Sequence, residues 1–302
     1  MHIVNHRKFY YCLSAILIVL SLAAISFWGL NLGMDFKGGS LLEIQYNSAR
    51  PEVAGIEASL KPLALGDVSI RTAGDNGLIL RFRSVTDAEH QSISKVLGAD
   101  GISVVETRFS SIGSVLGAEA GRKSILAIGL VIIAIVLFIT FAFRKVSEPV
   151  SSWKYGLIAI LALAHDVIIP TGAFAILGHF AGYEVDVLFV TAILVVLGFS
   201  IHDTIVVFDR VRENLKVAKS LNRRVGFSTL VGESISQTFV RSINTSLTTI
   251  IALTVLYILG GEVTRHFALT LIIGITAGTY SSIFLASPLL VTIERWQQRN
   301  RK

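Results

Sequence analysis

The chain is short of charge. Of its 302 residues only 16% are Asp, Glu, Lys or Arg, where a water-soluble domain carries about 25%, and 52% are hydrophobic. That deficit excludes a chain solvated by water alone and makes lipid part of the solvent. Cysteine is almost absent: Cys12 is the single one, so no internal disulfide can form and nothing in the fold depends on an oxidising compartment. Cys12 lies inside an apolar stretch and reads as an inert buried residue. Proline numbers five and no low-complexity segment occurs, which excludes a disordered chain.

Long apolar runs are what the sequence has instead. A membrane-crossing helix needs about 20 mostly apolar residues. Six stretches qualify, at about residues 9–30, 124–143, 155–177, 187–208, 240–259 and 267–293. The first follows Arg7 and Lys8, as a signal peptide would. Its apolar run exceeds an h-region of roughly 7–15 residues and no small-residue cleavage site ends it, so it is predicted to stay as a helix.

The net charge is +6, and its placement assigns it to topology and anionic lipid rather than to nucleic acid. Arg7 and Lys8 precede the first stretch. Arg144, Lys145 and Lys154 lie between the second and third. Arg210, Arg212, Lys216, Lys219, Arg223 and Arg224 lie between the fourth and fifth, and Arg295, Arg299, Arg301 and Lys302 follow the sixth. The two short loops of the opposite side, near residues 179–186 and 260–266, hold only Arg265. The bias predicts that both termini are cytoplasmic. Residues 1–30 are then a cytoplasmic start and first span. Residues 31–123 form an extracytoplasmic domain, periplasmic or extracellular, and residues 124–302 a five-helix bundle with a cytoplasmic end.

The 31–123 segment reads as strand, helix, strand, strand, helix, strand. Leu42, Ile44 and Tyr46 alternate with polar residues, the period of a half-buried strand. Pro51 suits the first turn of a helix over residues 52–61. Val68 and Ile70 open a second strand, and Asp75-Asn76-Gly77 a turn. Leu78, Leu80 and Phe82 define a third. Thr86-Asp87-Ala88-Glu89 is a capping box for a helix ending near Leu97. Ile102, Val104, Glu106 and Arg108 are predicted to share one face of the last strand. That order predicts a split βαβ, ferredoxin-like α+β domain on a polytopic helical membrane protein, a fold that names no function. His90 reads as a lone residue on an exposed helix face.

Function is sought where polarity is costly: a charge at the bilayer centre costs roughly 2.5–3.5 kcal/mol on insertion scales. The third stretch carries His165-Asp166, and the fourth Ser200, His202 and Asp203. The fifth carries Arg241, Asn244, Thr245 and Thr248 at i, i+3, i+4 and i+7, one helix face that is predicted to turn inward. The fourth and fifth stretches run in opposite directions, so Asp203 and Arg241 are predicted to meet near their cytoplasmic ends. In the functional reading Asp203 takes up and releases an ion while Arg241 responds to its charge. The alternatives are a static ion pair, or an Arg241 that snorkels to the interface. His165-Asp166 either joins this relay or supports it by hydrogen bonds. Adjacent helical residues diverge by about 100°, so His165, Asp166, His202 and Asp203 are not expected to make a metal centre. Protease signatures are missing: there is no His-Glu-x-x-His, and Gly198-Phe199-Ser200-Ile201-His202 fails Gly-x-Ser-x-Gly. Gly274 and Gly278 form a Gly-x-x-x-Gly pair and, with Gly198, read as helix-packing positions.

Several motifs resemble those of the SecD/SecF protein-export family, in order and over nearly the whole chain. Gly33-Met34-Asp35-Phe36-Lys37-Gly38-Gly39 is similar to its signature after the first helix. The run from Gly198 through Asp203 to Asn214 resembles the SecF fourth-helix motif. Arg241-Ser242-Ile243-Asn244-Thr245-Ser246 and Gly278-Thr279-Tyr280-Ser281-Ser282-Ile283 resemble its fifth and sixth. His165-Asp166 suits the SecF branch better than the SecD branch. Two positions depart: His202 stands where Asn is usual, and Ile112-Gly113-Ser114 where Val-Gly-Pro is.

The resemblance implies a SecF-type subunit, related to RND transporters, that pairs with SecD and associates with the SecYEG channel, YajC and YidC. It would draw a translocating polypeptide outward at the expense of an ion gradient, H⁺ or alternatively Na⁺. It implies no cofactor, metal or enzymatic activity, and it places Asp203 and Arg241 at the family's proposed ion-coupling positions. The start just before the first helix reads as an unfused subunit. Repacking of helices four to six around Asp203 is the expected link to the outer domain. The competing readings are a half-size RND-like exporter of small molecules or lipids, and a passive scaffold.

Overall fold

A computed structural model describes residues 2–48, 50–98, 103–144, 150–223 and 225–300. Ile102, Lys145, Arg224, Arg301 and Lys302 lie outside the described residues. In chain order the elements are α1 (His2–Asn5), α2 (Arg7–Trp28), α3 (Met34–Lys37), β1 (Gly39–Tyr46), α4 (Val53–Leu60), β2 (Ser69–Ala73), β3 (Gly77–Phe82), α5 (Asp87–Leu97), β4 (Val104–Ile112), α6 (Ser114–Ala142), α7 (Ser152–Ala181), α8 (Val187–Ser220), α9 (Phe227–Leu259), α10 (Glu262–Tyr280), a π-helical turn (Ser281–Ala286) and α11 (Ser287–Asn300). They fall into two compact units, Met1–Asn31 with Leu126–Lys302, and Leu32–Ile125.

The helical unit holds apolar helices long enough to cross a membrane; with α6 the chain has six such spans among the described residues. The centre is built by α7, α8 and α10, whose spans are half or more buried, while α6 and α9 bury little of theirs. Exposed α6 side chains such as Leu130, Ile133 and Leu137 are what lipid requires, since acyl chains are as apolar as leucine. At one end of the centre Tyr155 stacks on Phe143 and meets Phe208 edge-on, both at 5.2 Å. Cys12 is exposed on α2, not buried, because that helix keeps only Ser14, Ser21 and Ala24 fully inside.

Two helices run past the apolar stretches predicted for them. α8 continues to Ser220 and α9 begins at Phe227. Hydropathy reports lipid, not helix, and here charged residues keep the helices going. Arg210 bonds Glu213 at 2.5 Å along α8 and Gln237 of α9 at 2.6 Å. Asn214 donates to Ser234 at 2.8 Å and to Gln237 at 2.9 Å.

In the other unit the sheet order is β2-β3-β1-β4 with every neighbour antiparallel, the split βαβ topology. Leu42, Ile44, Tyr46, Leu78, Leu80 and Phe82 pack with Ile56, Leu60, Ile93 and Leu97 of the two helices. Pro51 stands one residue before the Glu52 cap of α4, outside its first turn. The predicted β4 face is broken. Glu106 pairs with Ile44 but Arg108 with Glu43, across a bulge at Glu43/Ile44; one extra residue flips the alternation, so Glu106 and Arg108 lie on opposite faces. Nor is His90 alone: it bonds Glu106 at 2.9 Å and stacks on Phe109 at 3.7 Å.

Candidate functional site

Two aspartates are buried in the spans, Asp166 of α7 fully and Asp203 of α8 at 3% exposure. Their surroundings differ. Asp166 Oδ1 pairs with His165 Nδ1 at 2.8 Å. Its Oδ2 accepts from Ser200 Oγ of α8 and from Ser281 Oγ, the first residue of the π turn, at 2.9 Å. Three donors from α7, α8 and the sixth span thus converge on one carboxylate. The His165 ring lies over Tyr280 at 5.9 Å, and the Tyr280 hydroxyl donates to the Tyr10 carbonyl at 2.9 Å.

Asp203 has less. Ser246 Oγ of α9 donates to its Oδ2 at 3.5 Å, the outer limit of a hydrogen bond. Thr279 Oγ1 of α10 donates to Ser246 Oγ at 2.6 Å. Thr279 and Ser281 stand two residues apart, so one short stretch of the sixth span is bonded to Asp166 directly and to Asp203 through a single hydroxyl.

That stretch leads into the π turn. Pro288 has no N–H to give to the turn before it and its ring crowds that turn, so the helix widens, a form that recurs at functional sites. Ser287 Oγ donates to the Ser282 carbonyl of the turn at 2.7 Å, and Ser282 Oγ ties the turn to α8, donating to the Ser200 carbonyl at 3.1 Å and contacting Thr204 Oγ1 at 2.8 Å. Gly274 and Gly278 allow α10 to approach α8. A Cβ on Gly274 would lie 2.4 Å from Val196 Cγ2, and one on Gly278 2.7 Å from Ser200 Cβ.

Several predicted residues are elsewhere. Arg241, Asn244, Thr245 and Thr248 are exposed on α9, and the hydroxyls of Thr245 and Thr248 bond back to their own helix. The inward stripe is instead Ser234, Thr238, Ser242 and Ser246, one residue out of phase with Arg241. Small hydroxyl residues every fourth position permit close helix approach, which a guanidinium does not. His202 is exposed although Asp203 beside it is buried, as a 100° step around the helix requires. Gly198 is exposed and a Cβ there would meet nothing within 4 Å, so it is not a close-packing position. Ser246 and Thr279 were missed by a search for charge; the four-residue period of hydroxyls is the signal that finds Ser246.

The Gly33–Gly39 motif belongs to the sheet unit. The Gly33 carbonyl accepts from Phe36 and Lys37, each at 3.1 Å, closing the α3 turn that holds Asp35 ahead of β1. Gly38 has φ +77°, and a Cβ on it would lie 2.7 Å from Ser114 Cα. Gly39 has φ +136° and packs against the Phe82 carbonyl. Both positions demand glycine.

Residues 92–296 match the family described as "Protein export membrane protein SecD/SecF, C-terminal", and residues 24–49 the SecD/SecF GG motif. The protein translocase subunit SecF of Thermobaculum terrenum is 40% identical over 97% of this chain and 93% of its own length. That of Anaerolinea thermophila is 37% identical over 99% and 96%. The crystal structure of SecDF, a translocon-associated membrane protein from Thermus thermophilus, superposes with a TM-score of 0.80 at 29% identity. It covers 98% of this chain, which spans 39% of that longer one. Motifs at both ends of the chain, full-length relatives and a shared three-dimensional arrangement agree: this chain belongs to the SecD/SecF family of protein-export membrane proteins.

Proposed function

We propose that the chain is the SecF-type subunit of a SecD–SecF complex, a multi-pass protein of the bacterial cytoplasmic membrane that uses an ion gradient to assist polypeptide translocation through SecYEG. Both termini face the cytoplasm and the sheet domain faces outward, the arrangement that the one-sided Lys and Arg distribution supports. SecD is the direct partner, with YajC and YidC as further associates. The coupling ion is H⁺, with Na⁺ as the alternative for the same carboxylate.

The observation that carries this reading is the contrast between the two buried aspartates. Asp166 holds three donors, and its carboxylate is the anchor of α7, α8 and the π turn. Asp203 accepts one long hydrogen bond, from Ser246, with the Ser242 hydroxyl and the Arg241 charge also acting on it, and keeps acceptor capacity open for an arriving ion. A change at Asp203 reaches α10 through Ser246 and Thr279, beside the π turn. One charge crossing 100 mV yields about 2.3 kcal/mol, enough to move a two-state packing by roughly fiftyfold. Arg241 remains part of the proposal from the exposed face of α9, where its charge already acts on Asp203 and would act more strongly once the helices shift or a partner subunit closes over it.

The test is export of a secretory protein in cells depleted of their own SecD and SecF and supplied with this chain and its cognate SecD. Wild type is expected to restore export, and Asp203→Asn to assemble with SecD but not restore it. Equal rescue by both would make the chain a passive scaffold.

A further inference from the structure

The end of the bundle where the first span begins and the sixth ends holds a cavity of about 590 Å³ lined by Arg7, Thr292, Arg295, Trp296, Gln298 and Arg299. We propose that this cavity binds the phosphodiester headgroup of an anionic phospholipid. Three guanidiniums and no carboxylate line it among the described residues; Glu294, the acid next to Arg295 in sequence, is buried and accepts from the Gln298 amide. A guanidinium presents its donors as a planar fork matched to phosphate oxygens. Arg295 and Arg299 stand four residues apart on α11, hence on one face. Arg7 comes from α2, its Nη1 fixed on the Val4 carbonyl at 3.1 Å. The walls are joined one turn along α2, where Tyr11 Oη and Thr292 Oγ1 meet at 3.0 Å.

The depth selects a lipid over a soluble phosphate. Six crossings bring the start of the first span and the end of the sixth to the same membrane face. Trp296 and Trp153 are 61% and 58% exposed, with the Lys154 ammonium 5.5 and 5.4 Å from their rings. Exposed tryptophan beside a cation marks the headgroup level. Phe9 and Leu13, exposed one turn apart on α2, offer an apolar track for the acyl chains.

Native mass spectrometry of the purified full chain in detergent, titrated with dioleoyl phosphatidylglycerol or phosphatidylcholine, tests this. Wild type is expected to retain phosphatidylglycerol selectively. Arg295→Ala with Arg299→Ala is expected to weaken that binding roughly tenfold or more, while Lys216→Ala with Lys219→Ala, which removes the same charge from the exposed end of α8, leaves it within about twofold. Arg295→Lys with Arg299→Lys keeps the charge and folds without the double truncation; it is expected to bind at an intermediate level. Equal loss in the α8 control would reduce the effect to general charge attraction and overturn the site. Displacement of the lipid by millimolar glycerophosphate would overturn the lipid as its occupant, and so would equal retention of the two lipids.

Discussion

Ser246 Oγ lies 3.5 Å from Asp203 Oδ2 and accepts from Thr279 Oγ1 at 2.6 Å; a hydroxyl, held by the next helix, is what α9 hydrogen-bonds to the carboxylate. Removing it by Ser246→Ala takes one long hydrogen bond from a buried carboxyl group, about 1 kcal/mol. Export in the depleted cells is therefore expected to slow roughly fivefold with Asp203 intact. Thr279→Val is expected to reproduce the loss without touching Asp203. Full activity in both variants would remove this connection from the mechanism.

The two aspartates are expected to fail in different ways. Asp166→Asn breaks a buried set of three donors around one carboxylate, a change that costs about 3 kcal/mol or more, and the chain is expected to accumulate poorly in the membrane. Asp203→Asn disturbs only weak contacts, the hydrogen bond from Ser246 being long, and is expected to accumulate at wild-type level while export stops. Immunoblots of membrane fractions beside the export assay separate the two.

The difference between these residues was not legible in the sequence. Hydropathy located the spans, and alternation around Leu42, Ile44 and Tyr46 located the sheet, because both patterns report average surroundings. Burial of Asp203 follows from the same average. Which neighbour bonds it does not: Arg241 and Ser242 are adjacent, and the rotation of α9 that turns Ser242 in and Arg241 out is set by how small residues pack, not by where the charge is. The β4 bulge and the π turn were invisible for a related reason, since each inserts a residue's worth of phase and periodic reasoning assumes that phase is kept. Pro288 was the available mark for the π turn.

The sheet domain carries its own pH dependence. Arg83 Nη2 bonds Glu89 Oε1 at 2.5 Å, and Glu89 also closes the capping box of α5 by accepting from the Thr86 backbone at 2.8 Å. The Arg83 guanidinium and then the Thr86 amide hold the Glu89 carboxyl down, from its ordinary 4.5 to about 2. Its contribution to α5 is therefore complete above pH 4.5 and is lost as the pH falls toward 2. Hydrogen exchange of the intact protein is expected to show the first turn of α5 opening faster in Glu89→Gln than in wild type at neutral pH. The difference is expected to shrink as the pH falls through that window.

Glycines separate close packing from mere small size. At Gly278 a Cβ would lie 2.7 Å from Ser200 Cβ and 3.3 Å from its Cα, and Ser200 donates to Asp166. Gly278→Ala must therefore part α10 from α8 and pull a donor away from the anchor, an overpacking cost of about 1–3 kcal/mol with a further loss at the hydrogen bond. Gly198→Ala meets no atom within 4 Å and exchanges a poor helix former for the best one, which favours the helix by up to about 1 kcal/mol. Thermal unfolding of the purified chain in detergent is expected to move down for Gly278→Ala and to hold or rise for Gly198→Ala. If both variants melt lower by the same amount, the cost is a general intolerance of side chains in the spans and not the approach of α10 to Ser200.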